Sequence, residues 1–529
     1  MRQRPLRLAL VLCLLFVIAP PLRAQTRNVE ERVREIDAYA AKAARDWNVP
    51  GFAVAIVKDD KVVFARGYGV REMGKAARVD EHTLFAIASN TKAFTAAALA
   101  VLVDEKKVAW DDPATKHLAG FQLHDPYVTR ELTVRDLLSH RSGLNTFAGD
   151  LLWYESGYGR EEILRRARFL KPTSSFRSRF GYQNVLFLAA GEIVPSATGK
   201  SWDDFLKEKF FAPLGMRRTT TSHAELLKAD NVATPHNEFE GRLRVIRYGD
   251  VSNIAGAGAI NSSAREMAEW VRLQLGRGTY EGRKIFSPAV SREMWTPHTV
   301  LGPISAESEK FNPTRHFALY GLGWILGDYH GRLAVSHGGG LDGMVSTVAM
   351  LPEESLGVVV LTNSETPLST LLVNKVFDTF LGVPRRDWSA DYLARTKAVR
   401  EAAAAAAKKL EDARVPDTKP SLPLSSYAGA YTGDLFGDAR VAEENGKLVL
   451  RLVPSPGFVG DLEHWHFDTF RVRWRDRIVY PFPRGFVTFT LGPRGRPDEM
   501  KIDVPNPDFD FKELEFKRAP DAPATNGGN

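Results

Sequence analysis

Runs of apolar residues near both ends of the first 380 or so residues predict strands. Residues 52–57 are apolar throughout, and a polar turn over 58–61 and a second apolar run over 62–65 follow, which is the pattern of a hairpin. Residues 346–351 and 356–362 form a second hairpin pattern, and the sequence between the hairpins is helical and rich in loops. We therefore expect an α+β fold: an antiparallel sheet assembled from both chain ends, flanked by helices, with an inserted helical subdomain.

The pattern changes after residue 388. Residues 389–424 contain alternating charges around an alanine tract, which predicts an exposed helix, and then a Pro-rich linker from 415. From residue 425 the chain shows short strands with turn residues between them, at 438–441, 447–452, 469–473, 486–491 and 513–517. We expect a large first domain over residues 25–388 and a small antiparallel β-barrel over 425–518, with few contacts between the two. We expect the tail over 519–529 to be disordered.

The first 24 residues have the pattern of a secretory signal. Three arginines precede an apolar run over residues 8–19, and Leu22-Arg23-Ala24 supplies a cleavage site after Ala24. The apolar run is short for a membrane span. We expect an exported protein, periplasmic or secreted, with no membrane span after cleavage. Because Cys13 is the only cysteine of the chain, the mature protein would contain neither a disulfide nor a thiol nucleophile.

Charge and composition exclude two classes of function. Four arginines of the signal account for more than half of the formal net charge of +7, and no basic run is interleaved with aromatic residues, so we expect no nucleic-acid binding. His464-Trp465-His466 comes nearest to a metal-ligand spacing, but alternation along a strand explains it better. We expect neither a metal nor a cofactor.

The candidate chemistry starts at Ser89 and Lys92, which form the only Ser-x-x-Lys of the chain inside a strongly helix-forming, alanine-rich run. Residues three apart share one face of a helix, and a helix N-terminus favours an oxyanion. An amine in an apolar pocket loses solvation for its charged form, which lowers its pKa and lets it act as a base. The alternative is a purely structural role, in which the serine caps the helix N-terminus and the lysine is solvated.

Two further motifs follow in order. Tyr182-Gln183-Asn184 is the only Tyr-x-Asn; a tyrosine near lysines can lose its proton more easily and relay it, and an asparagine offers both donor and acceptor to an amide. Ser336-His337-Gly338-Gly339-Gly340 follows the strand-like residues 332–335. Glycines at a strand end let a substrate approach the backbone. Taken singly, these motifs also fit a capped loop tyrosine and a glycine turn.

The three motifs in this order resemble the serine beta-lactamase and penicillin-binding-protein superfamily, in particular its class C-like beta-lactamases, D-aminopeptidases and related esterases. The resemblance spans roughly residues 29–382, and the barrel resembles the lipocalin-like domain that often follows this branch. It implies roles at the matching positions: Ser89 as acylated nucleophile, Lys92 as its base, Tyr182 as proton relay, Asn184 and the His337-Gly338-Gly339 motif as substrate contacts, and the N–H groups of Ser89 and Gly340 as oxyanion hole.

One departure bears on the substrate. Dedicated beta-lactamases of this group usually have Lys-Thr-Gly where this chain has His337-Gly338-Gly339, and a histidine is neutral much of the time at pH 7. It would hold a substrate carboxylate less firmly, which favours esters or peptides over beta-lactams. The sequence predicts an exported serine hydrolase of a small-molecule or peptide substrate. The barrel is expected either to restrict access to the cleft or to mediate self-association. A beta-lactamase or D,D-peptidase and a non-catalytic cell-wall-binding protein remain the alternatives.

Two other features of the chain bear on this prediction. His140 lies at a helix end before a Ser-Gly turn, and we expect a structural histidine at the rim of the site. The glycines after His337 mimic the oxyanion loop of α/β-hydrolase lipases, but no serine has the Gly-x-Ser-x-Gly context that those enzymes need.

Overall fold

The computed structural model describes residues 28–479 and 482–520; the predicted signal with Cys13, and residues 521–529 of the predicted tail, lie outside them. The helices are α1 Val29–Asp46, α2 Thr91–Asp104, α3 Ala114–His117, α4 Pro126–Glu131, α5 Val134–Leu137, α6 Arg160–Arg166, α7 Asn184–Thr198, α8 Trp202–Leu206, α9 His223–Lys228, α10 Ala255–Gly258, α11 Ala264–Leu275, α12 Pro288–Met294, α13 Ala306–Phe311, α14 Leu368–Leu381 and α15 Trp388–Asp412.

The strands follow the same numbering along the chain. They are β1 Gly51–Lys58, β2 Lys61–Gly69, β3 Phe85–Ala86, β4 His236–Phe239, β5 Arg242–Val245, β6 Asn261–Ser262, β7 Thr279–Tyr280, β8 Arg283–Lys284, β9 Thr299–Val300, β10 Ala318–Tyr320, β11 Ile325–Tyr329, β12 Arg332–Leu341, β13 Met344–Leu351, β14 Leu356–Thr362, β15 Gly429–Gly433, β16 Gly437–Glu444, β17 Lys447–Leu452, β18 Val459–His466, β19 Thr469–Trp474, β20 Gly485–Leu491, β21 Pro497–Asp503 and β22 Glu515–Arg518.

The central sheet has eight antiparallel strands in the order β2-β1-β14-β13-β12-β11-β10-β9. Strands β1 and β14 come from the two ends of the domain and pair with Val54 opposite Val360. The first hairpin turns at Asp59 and Asp60, whose φ angles of 50° and 59° suit a tight two-residue turn. The α+β architecture with a sheet built from both ends is therefore confirmed.

Both faces of β1 are buried, which explains why its sequence is apolar throughout rather than alternating. Phe52 packs with α1 and α14 on one face, whereas Ala53 packs with α2 and α11 on the other. A strand covered by helices on both sides has no solvent face on which a polar residue would be stable. The sheet is thus the middle layer of three, and the active-site helix α2 lies on one side of it.

Strands β15–β22 close into an eight-stranded antiparallel barrel in chain order, as in up-and-down barrels. The predicted small barrel is confirmed. Its last strand starts at Glu515 rather than at residue 513, because Phe511–Glu513 forms a 3₁₀ turn. Strand β21 was not predicted because it begins at a proline and is mostly polar.

The barrel packs firmly against the hydrolase domain, so the expectation of few contacts is wrong. Tyr154 lies among three barrel rings, with centroid distances of 6.1 Å to Phe458, 6.0 Å to Phe482 and 4.4 Å to Phe509. Buried apolar residues form one continuous cluster across both domains. Helix α15, which precedes the Pro-rich segment, is exposed along most of its length. The composition of a linker does not report the apolar surface of the domains that it joins.

Among the described residues, none of the helices combines the length and the apolar character that crossing a membrane requires.

Candidate active site

Ser89 lies in the 3₁₀ turn Ala88–Asn90, directly before α2. Ala88 has a φ of 45°, in the left-handed region that non-glycine residues rarely adopt, so the backbone is strained next to the serine. Ser89 is partly exposed and lines a cavity of about 690 Å³. The serine therefore lies at the start of the predicted helix, with its hydroxyl accessible from the cavity.

Lys92 is fully buried, and its amine has three oxygen neighbours. Its Nζ lies 3.0 Å from Ser89 Oγ, 2.6 Å from Asn184 Oδ1 and 3.1 Å from the Ala257 carbonyl oxygen. The two carbonyl oxygens can only accept, so they take both N–H bonds of a neutral amine, and the nitrogen lone pair is left for the Ser89 hydroxyl. Burial lowers the pKa of Lys92 to about 7, although Asp150 opposes the shift. The amine can thus accept the serine proton near neutral pH.

Asp150 is a functional residue that the sequence analysis missed. It is buried and accepts a 2.6 Å hydrogen bond from Asn184 Nδ2, so Asn184 connects this carboxylate to Lys92. Burial raises the pKa of Asp150 to about 7. Asn184 was predicted to contact substrate; its oxygen is used by Lys92, and one N–H remains after the bond to Asp150. No motif spacing marks Asp150, which begins the short 3₁₀ helix Asp150–Leu152.

Tyr182 lines the same cavity, and Lys92 Nζ lies 4.7 Å from the centroid of its ring. Burial raises the pKa of Tyr182 well above its ordinary value, and its interaction with Ser89 offsets this only in part. The expectation that Tyr182 loses its proton more easily is therefore wrong for the resting site. Desolvation of the phenolate outweighs the nearby amine. Tyr182 is a phenol that can donate a hydrogen bond or a proton.

The ring of His140 packs against the ring of Tyr182. Its Nδ1 accepts the backbone N–H of Gln183 at 2.9 Å, from which we assign the proton to Nε2, and its ring lies 4.2 Å from that of Tyr182. Burial lowers the pKa of His140 well below its ordinary value. The structure agrees with a structural histidine, but His140 is fully buried rather than at the rim.

The glycine motif lies inside a strand, not in a turn. Strand β12 continues through Gly338, Gly339 and Gly340, while its neighbour β11 pairs only as far as Ser336, so the rest of that edge faces the Ser89 turn. A Cβ on Gly339 would lie 2.1 Å from the carbonyl oxygen of Ile87. Only glycine permits this close approach. Gly338 and Gly340 line the cavity, whereas Gly339 packs beneath the nucleophile turn.

Ser346 on the neighbouring strand β13 forms hydrogen bonds with the residues on both sides of Ser89, in and next to the turn Ala88–Asn90. Its Oγ donates to the Ile87 carbonyl at 2.7 Å and accepts a 2.8 Å hydrogen bond from Asn90 Nδ2. These bonds hold the residues on both sides of Ser89, so the serine backbone is fixed relative to the edge of β12.

His337 lines the cavity but does not offer a free ring nitrogen. Its Nε2 lies 3.0 Å from the Tyr320 hydroxyl, and its Nδ1 lies 2.6 Å from the Gly338 carbonyl oxygen. The carbonyl can only accept, so Nδ1 carries the proton and Nε2 accepts from Tyr320. Burial lowers the pKa of His337 to about 3. The predicted polar contact with substrate is therefore corrected: His337 is neutral, and both its nitrogens are bound within the protein.

Comparison with known proteins agrees with this geometry. A family model for beta-lactamases matches residues 31–381. The chain belongs to the beta-lactamase family. A second family model, for a domain of unknown function, matches residues 413–518. These residues include the whole barrel of this beta-lactamase-family protein.

Several relatives and solved structures that the chain resembles are named as hydrolases or amidases. The chain is 29% identical over 430 residues to the unguisins hydrolase ungD of Aspergillus violaceofuscus, which covers 75% of this chain and 74% of that protein. A penicillin-binding-protein homologue from Pyrococcus abyssi shares the fold with a TM-score of 0.60 at 22% identity, over 89% of this chain and 98% of that one. A D-amino acid amidase from Ochrobactrum anthropi has a TM-score of 0.56 at 21% identity, over 66% and 99%. The protein is a serine hydrolase of the beta-lactamase family.

Proposed function

We propose that the protein is an exported hydrolase that cleaves an ester, amide or peptide bond through an acyl-enzyme on Ser89. The observation that supports this best is the buried Lys92 amine, whose Nζ lies 3.0 Å from Ser89 Oγ and whose two other oxygen neighbours can only accept hydrogen bonds. A serine hydroxyl becomes a useful nucleophile when an adjacent base with a pKa near the working pH takes its proton.

In the first half-reaction, Ser89 Oγ attacks the acyl carbon while its proton passes to Lys92 Nζ. The negative charge that develops on the acyl oxygen would be bound by the N–H groups of Ser89 and Gly340. The leaving group then takes a proton from the Tyr182 phenol, and the Lys92 ammonium restores that proton. This order fits a tyrosine whose pKa is raised by burial and a lysine whose pKa is lowered to about 7.

In the second half-reaction, water attacks the acyl carbon of the ester on Ser89. Lys92, again neutral, takes a proton from the water and passes it to Ser89 Oγ as the ester bond breaks, which restores the resting enzyme. Asn184 keeps one N–H toward the cavity and would orient the substrate carbonyl or amide, while Gly338 and Gly340 allow the substrate to lie against the strand edge.

The neutral His337 favours esters and amides over penicillins. A penicillin carries a carboxylate, and a histidine with a pKa of about 3 supplies no positive charge to bind it. The test measures kcat/KM at pH 7 for p-nitrophenyl esters, amino-acid p-nitroanilides, a penicillin and a cephalosporin. We expect turnover of esters or anilides and poor turnover of both beta-lactams. Beta-lactam turnover that exceeds ester and anilide turnover would instead support the beta-lactamase alternative.

Two further elements of the proposal rest on other observations. Export is supported by the signal-like pattern of residues 1–24, and N-terminal sequencing of the protein from its natural source tests for cleavage after Ala24. Self-association through the barrel remains a prediction; the Pyrococcus abyssi homologue is described as octameric. Light scattering of the purified full chain tests it.

A further inference from the structure

Several contacts hold one segment of the hydrolase domain, residues 149–171, against the barrel. The Gly157 N–H donates to the Pro454 carbonyl oxygen at 2.9 Å, and the Tyr158 hydroxyl donates to the Phe436 carbonyl oxygen at 2.7 Å. Further contacts are those of Arg166 Nη1 with the carbonyl oxygens of Asp434 and Leu435, and the exposed ion pair of Lys171 with Glu515. The segment begins beside the carboxylate that is linked to the lysine base, so its attachment to the barrel bears on the active site.

The contact nearest the reacting groups is made by Glu513, in the barrel turn Phe511–Glu513. Both of its carboxylate oxygens lie 3.0 Å from the backbone nitrogen of Gly149 and accept its N–H. Among the described residues, Glu513 is the only acceptor of this N–H, and Gly149 is buried. Burial raises the pKa of Glu513 well above its ordinary value, although the bond from Gly149 opposes the shift. Loss of this acceptor would leave a buried backbone donor unpaired, which proteins rarely tolerate.

Gly149 has little freedom to move when its partner is lost or displaced. Its φ of 83° lies in the left-handed region, and a Cβ at this position would lie 2.9 Å from Leu170 Cδ1 and 3.2 Å from Val185 Cγ2. It directly precedes the 3₁₀ helix Asp150–Leu152, whose N-terminus has no side-chain cap. The bond to Glu513 therefore sets where this helix starts.

The start of that helix is coupled to the nucleophile by two short hydrogen bonds. Asp150 accepts from Asn184 Nδ2 at 2.6 Å, and Asn184 Oδ1 lies 2.6 Å from Lys92 Nζ. Lys92 Nζ in turn lies 3.0 Å from Ser89 Oγ. A displacement of the helix would thus reach the amine that takes the serine proton, and small misplacements of catalytic groups cost large factors in rate.

We propose, on the basis of the function proposed above, that Glu513 of the barrel is a positioning residue that holds Asp150 in place beside Asn184. Through Asn184 it keeps the Lys92 amine directed at the nucleophile. Glu513 is not among the described residues that line the cavity, so it acts through the segment that it binds and not on the substrate. The barrel, which supplies none of the reacting groups, thereby contributes to the rate of acylation.

The experiment uses variants of the full chain that separate the hydrogen bond from the charge. Glu513→Ala removes the acceptor, whereas Glu513→Gln keeps one side-chain oxygen that can accept the Gly149 N–H. Glu515→Ala is the matched control, because it removes a carboxylate that joins the same two parts of the protein through an exposed ion pair with Lys171. The readouts are the rate of fluorophosphonate labelling of Ser89 at pH 7.5 and the pH profile of kcat/KM with p-nitrophenyl acetate.

We expect labelling to be about tenfold slower or more in Glu513→Ala, within about threefold of the wild type in Glu513→Gln, and unchanged in Glu515→Ala. The negative charge of Asp150 favours the lysine ammonium, so its displacement lowers the pKa of Lys92. The acid limb of kcat/KM should therefore move to lower pH in Glu513→Ala and stay in place in Glu513→Gln. In an Asp150→Asn background, Glu513→Ala should not move the limb further, because the positioned carboxylate is already absent.

A urea melt shows whether Glu513→Ala is folded. If it is not, Glu513→Asp replaces it: its carboxylate is one methylene group short of Gly149, so slower labelling and the same shift of the acid limb are expected. Wild-type labelling and an unmoved limb in Glu513→Asp would then overturn the proposal.

The failures of the two proposals can be told apart. Labelling of Glu513→Ala at the wild-type rate with an unmoved acid limb overturns the positioning role alone, and so does labelling of Glu513→Gln that is as slow as that of Glu513→Ala. Equal slowing in Glu515→Ala does the same, because the effect would then belong to the attachment of the barrel in general. Absence of Ser89 labelling in the wild type overturns the proposed function, and the positioning role with it.

Discussion

Replacing Asp150 by asparagine should shift the pH dependence of the enzyme to lower pH. Asp150 is linked to Lys92 through Asn184 by two hydrogen bonds of 2.6 Å, and its negative charge favours the lysine ammonium. With the amide between them, the two charges are roughly 7 Å apart, so Coulomb's law with an effective dielectric constant near 20 gives about 2 kcal/mol. At ~1.4 kcal/mol per pH unit, this is an upper limit of between one and two units.

The shift should be near the lower end of that range. Burial raises the pKa of Asp150 to about 7, so the carboxyl is only partly ionised over the pH range in which Lys92 titrates. We expect the acid limb of kcat/KM, which falls near pH 7 in the wild type, to move down by about one unit in Asp150→Asn. At pH 6 the activity relative to the plateau should then rise from about a tenth to about half.

The assay is the pH profile of kcat/KM between pH 4.5 and 9 with p-nitrophenyl acetate, a substrate that carries no charge in this range. Asparagine at 150 can still accept the hydrogen bond from Asn184, so the geometry should persist. Glu161→Gln, which removes a charge from the exposed first turn of α6, is the control and should leave the profile unchanged. An unshifted profile, or a shift to higher pH, would refute the coupling of Asp150 to the lysine base.

The remaining predictions concern the proton path, the strand edge and the barrel. Lys92→Ala should lower kcat/KM by ~10³-fold or more and Tyr182→Phe by ~10²-fold; because the two act on one proton path, the double variant should lose less than the product, and full multiplicativity in stopped-flow acylation would contradict this. Gly339→Ala, whose Cβ would lie 2.1 Å from a backbone oxygen of the nucleophile turn, should lose ~1–3 kcal/mol of unfolding free energy in urea melts and at least about tenfold in acylation rate; wild-type behaviour would mean that the strand edge does not fix Ser89. Phe509→Ala should cost about 2–4 kcal/mol, with both domains unfolding in a single calorimetric transition, whereas Phe467→Ala at an exposed barrel position should cost little; two separate transitions would show that the domains are independent.

The parts of the fold that the sequence predicts well are those with local signals. Continuous apolar runs mark strands buried on both faces, and so the two hairpins and one sheet built from both chain ends could be predicted. The pairing of β1 with β14 is known only from the structure. The three motifs also predicted which side chains meet: Ser89, Lys92, Tyr182, Asn184 and His337 lie at one site.

What the sequence does not predict depends on burial and on tertiary contact. The proton state of Tyr182 is set by desolvation, which no spacing reports, and the resting phenol contradicts the expectation drawn from nearby lysines. Asp150 is a single acidic residue in the short 3₁₀ helix Asp150–Leu152, and only the folded chain brings it to the cavity that contains Ser89. The docking of the barrel likewise follows from Tyr154 and the rings around it, which the linker sequence does not indicate.

The central claim is that Ser89 is the nucleophile and Lys92 its base, and covalent labelling tests it most directly. The full chain is exposed to a fluorophosphonate at pH 7.5, digested and mapped by mass spectrometry, alongside Ser89→Ala, Lys92→Ala and, as a control serine outside the site, Ser196→Ala. The account predicts one adduct on the peptide that contains Ser89, absent in Ser89→Ala, about a hundredfold slower or more in Lys92→Ala, and unchanged in Ser196→Ala. An adduct that persists in Ser89→Ala, or a labelling rate in Lys92→Ala equal to that of the wild type, would contradict it.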